Sequence, residues 1–166
     1  MQATANSQHM SDIMTRNPVC ATPGMTVRQL ATIFAERKIS GAPVVDGTGT
    51  LVGVVSRTDL FRRITERSSE SGADGDQQGG TAGFLFDLIN DQVPAERQVM
   101  PEALLAVADF MCESVITARP DEPIGVVARR IAQARVHRVV VIDEARKPIG
   151  VVTALDFLKV FPTPNG

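Results

Sequence analysis

The chain has 166 residues, 43% hydrophobic content and a formal net charge of −2. That is the size and apolar content of one folded domain with a sizeable core, and the charge balance excludes the broad basic footprint of a nucleic-acid binder. Trp and Tyr are absent, and Cys20 and Cys112 are the only cysteines, so the core must be aliphatic with a few Phe, and the thiols are expected free in a reducing cytosol.

In chain order, residues 1–10 are polar and contain no apolar signal region. A short strand is expected at Val19–Ala21. Thr26 and Gln29 form a capping box that opens a helix whose Val27, Leu30, Ala31 and Phe34 recur at i, i+3, i+4 and i+7. Two strands follow, Ala42–Val45 and Leu51–Val55, joined by a turn of hairpin length. A second helix starts at Thr58. Residues 68–83 are rich in Ser, Gly, Gln and acids without apolar periodicity, which reads as a flexible linker. Residues 84–89 and 101–111 read as short amphipathic helices, either packed on the outside of the core or docking a partner. The longest apolar run, residues 103–108, is far too short to span a bilayer. A cytoplasmic protein without membrane contact is expected.

From Val115 the same grammar returns. A strand at Val115–Ala118 precedes Asp121-Glu122-Pro123, where Pro suits the first helical turn and the acids favour the positive end of the helix dipole. Ile124, Val127, Ala128 and Ile131 repeat the helical stripe, and strands at Val139–Ile142 and Ile149–Val152 lead into a closing helix from Ala154. The second copy begins 97 residues after the first, and Asp12–Phe61 align with Asp109–Leu158 without a gap. Twelve of the fifty aligned positions are identical, among them Met14/Met111, Gly53/Gly150 and Asp59/Asp156, where roughly three would be expected by chance. A repeat too small to bury its own apolar face does so against its twin. The expectation is therefore an α+β body of two β-α-β-β-α repeats about a pseudo-twofold axis, with Val54, Val55, Val151 and Val152 buried. Repeat one spans residues 9–67, the intervening region 68–100 and repeat two 101–161.

Each copy ends its last strand with a hydroxyl and, three residues on, a carboxylate: Ser56 with Asp59, and Thr153 with Asp156. A hydroxyl at a helix start can donate to a phosphate, and the carboxylate can accept from ribose hydroxyls. The same spacing also describes a plain helix cap. His137 and Arg138 lead into a strand and offer donors to phosphate, or form a solvated strand edge; Arg57 is a further phosphate candidate or a surface Arg. No Walker loop, metal-ligand spacing or catalytic triad is present.

The segments Asp12-Ile13-Met14-Thr15, Gly41-Ala42-Pro43-Val44-Val45-Asp46 and Leu51-Val52-Gly53-Val54-Val55-Ser56-Arg57-Thr58-Asp59 together resemble a CBS (cystathionine β-synthase) domain. Val136-His137-Arg138-Val139-Val140-Val141-Ile142-Asp143 and Ile149-Gly150-Val151-Val152-Thr153 resemble it again. The resemblance covers about two thirds of the chain and implies a CBS pair, or Bateman module, without catalysis of its own. It implies that AMP, ADP or ATP is held in clefts between the repeats, with S-adenosylmethionine or a cyclic dinucleotide as alternatives, and that no cofactor is required.

It implies ribose contact at Asp59 and Asp156 and phosphate contact at His137 and Arg138, beside which Ser56, Thr153 and Arg57 stand as the phosphate candidates read from the residues themselves. Adenine would rest near Val19, Cys20, Pro43, Ile116, Thr117 and Val140. In similar modules the phosphate pair of one repeat reaches toward the acid of the other, so His137 and Arg138 are expected to serve the Asp59 cleft and to make it the tighter one. The resemblance also implies a homodimer that regulates a partner protein. The closing helices carry apolar residues for such pairing: Leu60, Phe61 and Ile64, then Phe157, Leu158 and Phe161. Two competing readings are a dimeric scaffold with vestigial clefts and an enzyme, for which the sequence offers neither a base nor a metal site.

Overall fold

A computed structural model describes residues 8–62 and 106–160. In chain order the elements are α1 (Met10–Ile13), β1 (Thr15–Arg16), α2 (Val27–Glu36), β2 (Gly41–Val45) and β3 (Leu51–Ser56). A helix α3 follows over residues 57–62. After a 3-10 turn at Val107–Asp109 come β4 (Thr117–Ala118), α4 (Ile124–Ala134), β5 (Arg138–Ile142), β6 (Pro148–Thr153) and α5 (Ala154–Leu158). The fold is α+β. Among the described residues, no helix is long and apolar enough to cross a membrane.

Contacts divide the described chain into two units. One holds Cys20–Asp46 and residues 52–62 and 106–113; the other holds residues 8–19, Gly47–Leu51 and residues 114–160. In the first unit the capping box forms as expected: Gln29 N–H donates to Thr26 Oγ1 (3.3 Å) and Thr26 N–H to Gln29 Oε1 (2.9 Å). The stripe Val27, Leu30, Ala31 and Phe34 is buried against Ala42, Val44 and Val55 of the β2–β3 sheet. Ala21 makes a parallel bridge to Val44.

In the second unit four strands run in the order β1-β6-β5-β4, with β5 antiparallel to β6 and parallel to β4. Ile124, Val127 and Ile131 of α4 pack on Val139, Val141 and Val152. Ala118 pairs with Val141 as Ala21 does with Val44. Arg130 of α4 reaches back to Glu122 in an ion pair.

The leading segment of each copy packs into the other copy's unit. Thr15 pairs with Val151 on β6, and Cys112, its equivalent 97 residues on, bridges Val54 on β3. Met10 is fully buried in the core of repeat two, and Val107 in that of repeat one. Met10 N–H donates to the Glu122 carbonyl (3.1 Å), and Val107 N–H to the Met25 carbonyl (2.9 Å). The identical Asp12/Asp109 pair has a local cause: each carboxylate accepts the N–H three residues back, from His9 and from Ala106, at 2.8 Å. The Met/Gly identities share one cause as well. A Cβ on Gly150 would meet Met14 Cγ at 2.9 Å, and one on Gly53 would meet Met111 Sδ at 3.0 Å and the Cys112 carbonyl at 3.1 Å.

Three expectations change. Val55 and Val152 are buried, but Val54 and Val151 are half-buried, because successive strand residues point to opposite faces. Pro123 is the N-cap of α4, one position before its first turn. Of residues 101–111, the described part, from Ala106, contributes a bridge and a 3-10 turn to repeat one's unit. The expected linker at 68–83, the expected helix at 84–89, Ile64 and Phe161 lie outside the described residues.

Candidate functional site

The hydroxyl–carboxylate motifs adopt one geometry twice. Ser56 ends β3, and both its N–H and its Oγ donate to Asp59 Oδ2, at 2.9 and 2.6 Å. Asp59 N–H returns a bond to Ser56 Oγ (3.3 Å). Thr153 ends β6 and donates in the same way to Asp156 Oδ2, at 2.9 and 2.7 Å. The chain turns from strand to helix there, so the cap satisfies N–H groups that the turn would otherwise leave without partners.

The outer oxygens differ. Asp156 Oδ1 accepts a 2.6 Å bond from Lys159 Nζ. Asp59 Oδ1 has Arg62 at 3.6 Å, beyond hydrogen-bond distance. Asp156 is 7% exposed. Burial pushes its carboxyl pKa up, but the donors from Lys159 and Thr153 and the Lys159 charge outweigh it and hold the group below the usual carboxylate value. Lys159 and Arg62 escaped the sequence reading. Their signal was available, since both stand three residues after the acid and 97 residues apart.

The candidate phosphate donors stand at strand ends: His137 and Arg138 where β5 begins, and Arg57 just after β3. Ala154 N–H donates to the His137 carbonyl (3.0 Å), as Arg57 N–H does to the Ser40 carbonyl (3.1 Å). These bonds fix the residues before β5 and β2 beside the respective motifs. Arg138 stands directly opposite Thr153 in the β5–β6 ladder, and His137 is exposed. Cross-strand partners share a face, and Val139 and Val152 take the core side, so Arg138 and Thr153 lie on the other. Thr117, Val140 and Val151 continue that face in a row across three strands. The Arg57 guanidinium donates to the Phe34 carbonyl (3.3 Å) near the end of α2.

The residues expected around adenine divide. Val140 and Pro43 are buried, while Val19, Cys20 and Thr117 are half-buried. Ile116 packs against the core of repeat two. Burial pushes the Cys20 thiol pKa up, which keeps it protonated and poorly nucleophilic. Among the described residues, no group of three His, Cys, Asp or Glu could hold a metal ion.

The family model described as CBS domain matches residues 10–66 and 107–163. This chain belongs to the CBS domain family. It is similar to L-aspartate semialdehyde sulfurtransferase of Methanocaldococcus jannaschii, at 22% identity over 152 residues, covering 92% of this chain and 23% of that protein. The chain thus spans about a quarter of that relative's length. Among solved structures it is similar to a CBS domain pair in complex with 5'-methylthioadenosine and S-adenosyl-L-methionine (TM-score 0.68, 22% identity, 93% of this chain and all of that one). It is also similar to CBSX2 in complex with AMP (TM-score 0.63, 24% identity, 91% and 93% of the two chains); CBSX2 is a CBS-pair protein of Arabidopsis thaliana.

Proposed function

We propose that this CBS pair is a regulatory module that binds an adenosine nucleotide and carries out no chemistry on it. Asp59 and Asp156 would accept from ribose hydroxyls. Ser56 and Thr153, with His137, Arg138 and Arg57, would serve the phosphates. Half-buried Cys20 and Thr117 and buried Pro43 and Val140 would border the adenine. The observation that carries the reading is the repeated carboxylate, tethered through Oδ2 at a strand end, with Oδ1 outside the cap and beside a basic side chain. The similar structures with AMP and with S-adenosylmethionine support the ligand class. AMP, ADP and ATP are the first choices, followed by S-adenosylmethionine and a cyclic dinucleotide. The module would act as a homodimer through its closing helices, where Leu155 and Leu158 are 70% and 62% exposed, and would report to a protein partner.

One observation favours the scaffold reading. Both carboxylates already cap a helix, so the motif has a sufficient structural role. A thermal-shift panel of adenosine ligands separates the two, because a ligand that prefers the folded state stabilises it by about 2.7 kcal/mol at a hundredfold excess over Kd. Binding predicts a rise in melting temperature with at least one ligand. No shift with any of them leaves the scaffold.

A further inference from the structure

The two carboxylates are unequal in what they can still accept. A carboxylate offers about four acceptor positions, two on each oxygen. Oδ2 takes two bonds in both repeats, from Ser56 N–H and Oγ and from Thr153 N–H and Oγ1. What remains is on Oδ1. At Asp59, Arg62 stands 3.6 Å away and makes no hydrogen bond to that oxygen, so two positions stay open, enough for a vicinal diol. At Asp156, Lys159 Nζ occupies one position at 2.6 Å, and one stays open.

We propose, building on the adenosine-binding reading, that Lys159 is a specificity-determining residue that prevents Asp156 from reading a ribose diol, leaving diol recognition to Asp59. The Asp156 site accepts one ligand donor while Lys159 is in place. It therefore cannot tell a ribonucleotide from its 2'-deoxy counterpart. Lys159 is 73% exposed along its side chain, but its 2.6 Å bond to a carboxylate that is itself 7% exposed holds it on Oδ1 against a competing second hydroxyl. Arg62 holds the equivalent place in repeat one, and its longer separation leaves the diol reader open.

The probes are AMP and 2'-deoxy-AMP, because their affinity ratio cancels the phosphate's own electrostatics. Calorimetry on Asp59→Ala isolates the second site. There the two nucleotides should bind within about twofold of each other. Adding Lys159→Met, which keeps the chain length and removes the donor, should open a ribo-over-deoxy preference of roughly tenfold, the worth of one hydrogen bond to a charged group. Asp156→Ala, which isolates the first site, should show that preference without further change. An unaltered ratio on Lys159→Met, or a preference already present at the second site, overturns the proposal while leaving nucleotide binding intact. Absence of AMP binding by the wild-type protein overturns both readings. A melting temperature for Lys159→Met close to wild type confirms that the comparison is between folded proteins.

Discussion

Asp59 and Asp156 each have one oxygen committed to the cap's N–H and hydroxyl and the other beside a basic side chain. Asp59 has more acceptor capacity left, so Asp59→Ala should abolish the tighter AMP-binding event in calorimetry and Asp156→Ala should spare it. Loss of the strong event in Asp156→Ala instead would show that the wrong carboxylate has been assigned. Arg138 offers a planar fork opposite Thr153. Arg138→Ala should weaken AMP by roughly tenfold and adenosine far less, since only the phosphate is lost between the two probes. The acid limb of stability belongs to the same scale. The folded-state pKa of Asp156 is depressed, against its own burial, by Lys159 and Thr153. Such a group stabilises the fold fully above the unfolded value of about 3.9, and the contribution disappears as pH falls through the lower folded value. Melting temperature should lose this contribution only below about pH 4, and Asp156→Asn should flatten that part of the curve. Parallel curves for the two proteins below that pH would sink the assignment.

Among elements, the helices were the most legible. Their apolar stripes at helical spacing are the faces now buried, and the Thr26 capping box marks where α2 begins. The short leading segments were not, because a two-residue strand such as Thr15–Arg16 has no periodicity to read. Its partner lies on β6, far along the chain. The two Met/Gly identities were visible as repeat matches, yet their meaning depends on contact between opposite ends of the chain. Gly150→Ala should destabilise by about 1–3 kcal/mol through overpacking against Met14. Pairing it with Met14→Ala should cost less than the sum of the two single changes, because the smaller side chain relieves the clash. Strict additivity in urea denaturation would mean that Met14 does not pack there.

At the scale of the whole molecule, the exchange means that neither sequence repeat is a complete folding unit. A fragment of residues 1–100 lacks Val107 and Phe110 from its core, and one of residues 101–166 lacks Met10. Each buried side chain of this size contributes about 1.5–3 kcal/mol, against a total stability of about 5–15 kcal/mol for a domain. Each fragment alone should show little native circular dichroism, and mixing the two should restore it. A cooperative melt from either fragment alone would count against the exchange. Self-association is read at this scale as well. Leu60 and Phe157, two of the apolar residues expected to pair copies, are buried in their own cores, whereas Phe61 and Leu158 remain exposed. Light scattering should give a dimer mass, and Leu155→Glu with Leu158→Glu should give a monomer mass.

The sequence by itself determined the two copies, their α+β grammar, the helical core faces and the pairing of a hydroxyl with an acid at each strand end. These are local patterns, repeated at a constant offset, and local backbone chemistry is enough to produce them. Even the choice between a cap and a ligand reader was half visible, since the cap is an intrinsic consequence of Ser or Thr followed by Asp at that spacing. Only the tertiary structure decided that the leading segment of each copy completes the other's unit. It also decided that Arg138 stands against Thr153 and that Lys159 closes on Asp156 where Arg62 stops short of Asp59. The physical reason is that side-chain reach, burial and backbone pairing are set by neighbours distant in sequence. Two motifs written almost alike can thus differ by a single donor in space.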